Sequence, residues 1–342
     1  MAYSDIFRYE REIKQELVRA IYDNINFDES EPRIVAKLIS LLTGTINGQI
    51  VQGLFSESGL KISSGGVFTH QQPQVKSPEF PQNGAVEIGD LLLVMNFERR
   101  NGTIDRTAVL YQVKKLEHPD NNDNQRYLYN NWPEFDYFRS SPRLNMKRRH
   151  ITGPHLYLGA KYLYIGEITN GTPISRALIF RYFIFHHCNN KPCDNSLINK
   201  IHNNQLFICY PPYDPYNESF YGIHTVNCFI DELFHFITGN GGRHFDYQPC
   251  HSNTNWDQVI TDLIDITSQN VTSYYARQPR QQGVFNFMGN WESSNLIGKV
   301  IPSQVIDSFQ YNNEPVFREN QNNDNILDET GASVIEINIK EN

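Results

Sequence analysis

The sequence predicts an α/β protein: a central mixed sheet flanked by helices, with a C-terminal α+β extension. Three observations predict it. The first 55 residues read as helical, with apolar side chains at helical spacing from Ile6 onward. Two β-branched and aliphatic runs, 86–97 and 107–116, flank Asn101-Gly102, the strongest short-range hairpin signal. The stretch Leu91-Leu92-Leu93-Val94-Met95 is apolar without alternation, as in a strand covered on both faces.

Taken in order, Ile6 to Ile25 reads as one amphipathic helix. Asp28-Glu29-Ser30-Glu31-Pro32 starts a second, with Pro32 near the first helical position and acidic residues at the positive end of the dipole. Ile34, Leu38, Leu41 and Leu42 form its apolar face. Residues 59–84 are rich in Gly, Ser, Pro and Gln and read as loops around one short strand. After the hairpin, 125–138 carries aromatics near helical spacing, with Pro133 as a kink or restart. Residues 161–167, 177–185 and 205–209 read as strands. Residues 226–237 and 256–268 read as amphipathic helices, the former stopped at Gly239-Asn240-Gly241-Gly242. Residues 303–342 hold eight acids, eight Asn and only two bases, and read mostly as a solvated, partly disordered acidic tail. The expected organisation is therefore a core with N-terminal helices over 1–170, an α+β extension packed on it over 171–302, and the tail.

Of 342 residues, 39% are hydrophobic and 20% charged, which excludes a wholly disordered chain. No apolar run approaches the length of a membrane span. The start Met1-Ala2-Tyr3-Ser4-Asp5 has no signal-peptide pattern, and five cysteines are odd and sparse. A cytoplasmic protein is the expectation. The net charge of −8 argues against non-specific coating of nucleic acid, but it is uneven. The tail contributes −6. Between Arg99 and Arg149, eleven bases face six acids, for a local +5.

The chemistry-bearing segment is Glu87-Ile88-Gly89-Asp90 at the start of one strand and Gln112-Val113-Lys114-Lys115 at the end of its hairpin partner. A carboxylate, a polar group and a lysine suit metal-assisted phosphodiester hydrolysis, in which the acid holds Mg²⁺ and the lysine orients water or offsets phosphate charge. Spacing of two places Gln112 and Lys114 on one strand face. Register decides whether Asp90 joins them. A two-residue Asn101-Gly102 turn would set Asp90 opposite Val113 and turn Gln112 and Lys114 away from it. An odd-length loop or a single bulge sets Asp90 opposite Gln112 or Lys114 instead. One site on one face therefore predicts an odd loop or a bulge.

At these residues the sequence resembles the PD-(D/E)XK, or restriction-endonuclease-like, nuclease superfamily, in the D…QxK variant similar to Mrr-type enzymes. Residues 86–116 carry the resemblance, and the following helix and strand extend it to about a third of the chain. It implies a restriction-endonuclease-like core with Asp90, Gln112 and Lys114 as catalytic residues. Mg²⁺, with Mn²⁺ as substitute, would be bound by Asp90 and Gln112, with Glu87 or Glu31 as a further carboxylate and Glu16 as another candidate. Gln112 stands where many relatives carry an acid, which removes one negative charge from the metal site. The implied function is a metal-dependent endonuclease, DNA favoured over RNA, serving bacterial antiviral defence. A sensor or guide-loaded partner such as a prokaryotic Argonaute, and a homodimer, fit that setting; a membrane does not. The alternative is a catalytically inactive nuclease-fold subunit that binds nucleic acid or acts as a scaffold, and Gln112 is the feature favouring it.

Lys115, Arg143, Lys147, Arg148 and Arg149 are the candidate phosphate contacts, with Tyr129 or Trp132 as stacking aromatics or core residues. His186, His187, Cys188, Cys193, His202, Cys209 and Cys228 gather zinc-ligand types, but one Cys-x4-Cys pair has no matching second pair.

Overall fold

The computed structural model describes residues 5–68, 73–115, 123–138, 147–153, 156–165, 206–209, 226–247, 255–276, 286–289 and 332–342. Helix α1 (Glu10–Tyr22) follows a 3-10 turn and buries Ile13, Leu17, Val18 and Ile21 along one stripe. Helix α2 (Glu31–Ile46) starts after Ser30 with Glu31 and Pro32 in its first turn, and α3 (Gln49–Glu57) follows. Next come β1 (Leu60–Phe68), β2 (Gln74–Lys76), β3 (Val86–Glu87), β4 (Leu91–Glu98) and β5 (Ile104–Lys115). Helix α4 (Asp123–Asn131) leads to β6 (Phe135–Phe138), β7 (Arg148–Arg149), the single turn α5 (Leu156–Gly159) and β8 (Ala160–Ile165). The rest comprises β9 (Leu206–Cys209), β10 (Val226–Cys228), α6 (Phe229–Ile237), β11 (Arg243–His244), α7 (Trp256–Ala276), β12 (Asn286–Gly289) and β13 (Ser333–Glu341).

The main sheet runs β10-β9-β8-β5-β4-β13-β1-β12, with β11 also paired to β5; β3-β2-β6-β7 form a second, small sheet. The main sheet is mixed: β4 pairs β5 antiparallel but β13 parallel, and β5 pairs β8 parallel. Because side chains alternate along a strand, β4 and β5 feed two cores. Leu92, Val94, Ala108 and Leu110 pack with Leu128 and Tyr129 of α4 and Trp256, Ile260 and Leu263 of α7. Leu91, Leu93, Val109 and Tyr111 pack with α1, α2, α3 and α6 on the other side. This three-layer arrangement explains the unbroken apolar run in β4. Among the described residues no single helix is long and apolar enough to cross a membrane.

The hairpin register follows the odd-loop expectation. Leu91 opposes Tyr111 and Glu98 opposes Ile104, with no bulge between. The turn closes through Arg99 N–H to Thr103 O (2.9 Å) and Gly102 N–H to Arg99 O (2.8 Å), so Arg100-Asn101-Gly102 is a three-residue loop. Gly102 has φ +80°, the left-handed conformation such a loop needs at its last position. Asp90 is therefore opposite Gln112, on the same face as Gln112 and Lys114.

Four sequence expectations change. Residues 333–341, expected within the acidic tail, are the strand β13 at the centre of the sheet, between β1 and β4. Residues 60–68, expected as largely loop, form the nine-residue strand β1. The helix expected over 125–138 ends at Asn131, where Trp132 takes φ +44°, and the chain continues as strand β6. The helix expected over 226–237 begins at Phe229, because 226–228 pair with β9 as strand β10. Within 171–302, the described strands β9, β10 and β12 belong to the main sheet and β11 pairs with β5. The strand expected over 177–185 lies outside the described residues.

Candidate active site on the hairpin

Gly89 and Asp90 link the two sheets: Ile88 N–H donates to Pro73 O (3.1 Å) and Asp90 N–H to Tyr111 O (2.9 Å). The Asp90 side chain, partly open to solvent, sits over the end of β5. Its Oδ2 accepts Val113 N–H (2.7 Å) and the Gln112 Nε2 amide. Among the described residues, no donor bonds its Oδ1. Loss of surrounding water holds the Asp90 carboxyl well above the usual carboxylate range; the Glu87 charge adds to this, the Lys114 ammonium and Val113 N–H oppose it, and Glu31 raises it further. Glu87, Glu31 and Lys114 thus all act electrostatically on Asp90.

The three neighbours come from different elements. Glu31, in the first turn of α2, accepts Lys115 N–H at Oε1 (2.7 Å) and so ties the helix start to the end of β5. Glu87 lies in β3 of the small sheet, opposite Gln74. Lys114 is partly exposed, and its ammonium makes no hydrogen bond or ion pair to any described residue. Beside it on the same face, Tyr164 is the register partner of Lys114 and Tyr162 of Gln112.

Two further residues support the site: Gln125, which the sequence reading missed, and Tyr129, which it offered as a stacking or core aromatic. Gln125 Nε2 donates to Gln112 Oε1 and to Glu87 O (3.1 Å), and the Tyr129 hydroxyl donates to Ile88 O (2.9 Å). Both project from α4, and their spacing of four puts them on one helix face. That spacing was the available signal. Gly89 shows why glycine precedes Asp90: a Cβ there would lie 2.6 Å from Leu110 Cδ1 and 2.9 Å from Tyr129 Oη.

The basic candidates divide. Lys147 is exposed. Arg148 is exposed and paired with Asp136 (3.2 Å) and Glu134 (3.7 Å). Arg149 is buried, with its guanidinium on both oxygens of Asp262 (2.7 and 3.2 Å), so it clamps β7 to α7 and does not face solvent. Lys115 Nζ donates to Asp28 O (3.0 Å). Arg143 lies outside the described residues. Tyr129 and Trp132 are buried core residues. Glu16 is paired with Arg19 (2.9 Å) on α1 and does not join the hairpin carboxylates.

Hard divalent cations take oxygen ligands. Asp90 Oδ1 is the oxygen left open here, and Glu87 and Glu31 are the carboxylates whose charge Asp90 feels. Among the described residues no three His, Cys, Asp or Glu side chains already converge as a metal cluster. The histidines and cysteines from His186 to His202 lie outside the described residues, and the Cys228 thiol, pushed up to about 12 mainly by burial, is free and packs against the edge of the core.

No protein-family model, curated protein or solved structure matches the chain. The class the fold defines is an α/β protein with a mixed sheet flanked by helices.

Proposed function

We propose that the chain is a divalent-metal-dependent nuclease with a restriction-endonuclease-like core, acting on phosphodiesters of nucleic acid, DNA favoured. The observation that carries this reading is the register of the β4–β5 hairpin, which sets Asp90, Gln112 and Lys114 on one face. A two-residue turn would have separated them. Asp90, with Glu87 or Glu31, would hold Mg²⁺ or Mn²⁺. Bound there, the cation would supply Lewis acidity and a water of lowered pKa. Lys114, with no partner among the described residues, is the group to place against the scissile phosphate, where its ammonium offsets charge building on oxygen. Lys147, at the edge of the small sheet, is the exposed base offered for phosphate contact. A cytoplasmic role in bacterial defence, switched by a sensor or guide-loaded partner and acting as a homodimer, completes the proposal.

A second reading, a non-catalytic nuclease-fold subunit, is favoured by one observation: Gln112 fills Asp90 Oδ2 with an N–H where an acid would add an oxygen. Incubating the full chain with double- and single-stranded DNA and RNA, with Mg²⁺, Mn²⁺ or EDTA, separates the two. The nuclease reading expects metal-dependent cleavage that falls about 10²–10⁴-fold in Lys114→Ala. Equal cleavage by wild type and Lys114→Ala, or none by either, removes it.

A further inference from the structure

Gln112 and Gln125 are both buried, 0% and 4% exposed, and their carboxamides are hydrogen-bonded in series. The series runs between two acceptors. At one end is the Asp90 carboxylate, which receives Gln112 Nε2; at the other is the Glu87 backbone carbonyl, which receives Gln125 Nε2. A backbone carbonyl cannot become a donor, so Gln125 must keep its NH₂ toward Glu87. The same NH₂ reaches Gln112 Oε1, which fixes the oxygen of Gln112 toward Gln125 and its N–H toward Asp90. The polarity of the whole chain is set from α4, not from the metal-facing side.

We propose that Gln125 is a positioning residue: it locks the Gln112 carboxamide as a donor that holds Asp90 Oδ2, leaving Oδ1 to face the ligand. This rests on the nuclease reading for its purpose, though not for its geometry. It assigns Gln112 a task different from metal ligation. For Gln112 to turn its oxygen toward a cation, Gln125 would have to rotate as well and give up the Glu87 carbonyl. An ionised carboxylate in place of Gln125 would impose that reversal, because it can only accept.

The test uses the metal-free full chain with ¹⁵N-labelled glutamine side chains. Gln112 Nε2 and Val113 N donate to the same oxygen, so their protons lie within a few ångströms of each other and should give an NOE. The NOE is expected in wild type and lost in Gln125→Glu, where Gln112 turns its NH₂ toward position 125. Mn²⁺ affinity, measured by titration, is expected to rise roughly tenfold in the same variant, within the range that outer-shell partners control. Should Gln125→Glu not fold, Gln125→Leu serves: it removes the lock without reversing it, and the NOE weakens. An NOE absent from wild type, or unchanged in a folded variant, overturns the proposal. If the NOE behaves as expected but wild type binds no Mn²⁺, the positioning role stands and the nuclease reading falls.

Discussion

Replacing Gly89 with alanine puts a methyl group where the fold has no room. The added carbon would lie 2.6 Å from Leu110 Cδ1, 2.7 Å from Leu110 Cγ and 2.9 Å from Tyr129 Oη. Non-bonded carbons settle at about 3.5–4.0 Å, so the overlap with Leu110 is about 1 Å. Leu110 is fully buried in the middle of the sheet, and moving it means repacking the core, about 1–3 kcal/mol. Moving Tyr129 instead breaks its 2.9 Å bond to Ile88 O and strands a buried hydroxyl, again about 1–3 kcal/mol. Neither escape is free, and the expected loss is about 1–3 kcal/mol. Guanidinium unfolding followed by tryptophan fluorescence should show a lowered midpoint with an unchanged slope. Cleavage activity should fall further than stability, because Asp90 is the next residue and takes its position from Gly89. A Gly89→Ala variant within about 0.5 kcal/mol of wild type would refute the packing argument.

Three other outcomes follow from the same contacts. Burial and Glu87 raise the Asp90 carboxyl, so the folded state binds its proton more tightly than the unfolded chain; this contribution to stability is present at low pH and is lost as pH rises from the ordinary carboxylate range through the raised folded value. Asp90→Asn should therefore be more stable than wild type at pH 7, by about 0.5–2 kcal/mol, yet inactive; a less stable Asp90→Asn in denaturation at that pH contradicts the electrostatics. Arg149→Met leaves buried Asp262 uncompensated and should cost about 3–5 kcal/mol, whereas exposed Arg148→Ala should stay within about 0.5 kcal/mol; similar melting shifts for the two would show that Arg149 is not a clamp. Deleting residues 332–342 removes the strand between β1 and β4, and circular dichroism should report loss of the cooperative transition; a native-like melt would mean that β13 is dispensable.

The hairpin was legible because one requirement, three polar residues on one face, could be checked against turn length, and Gly102 supplies the turn. β13 was hidden by averaging: alternation in Val334-Ile335-Glu336-Ile337-Asn338-Ile339 is clear locally but diluted across a long Asn-rich, acidic stretch. The strand's odd-numbered isoleucines face the helices while Glu336 and Asn338 bond Asn96 on the other face (2.7 and 2.9 Å), a polar pairing that composition cannot foresee. β1 looked like a loop because it carries Ser63-Ser64-Gly65-Gly66. Those small residues serve close packing: a Cβ on Gly66 would meet Ile39 Cγ2 of α2 at 2.4 Å. Arg149 read as a surface base from its neighbours in sequence, and only tertiary structure places Asp262 over it. Gln125 escaped notice because a glutamine acquires its role here from two acceptors distant in sequence.

The central claim is that the Asp90 end of this hairpin face is where a divalent cation and a phosphodiester meet. Anomalous diffraction from Mn²⁺-soaked crystals of the full chain tests it most directly. A peak is expected at oxygen-ligand distance, about 2.0–2.6 Å, from Asp90 Oδ1, lost in Asp90→Asn. A Mn²⁺ peak elsewhere, or none at Asp90 under conditions that support nucleic-acid cleavage, would contradict it.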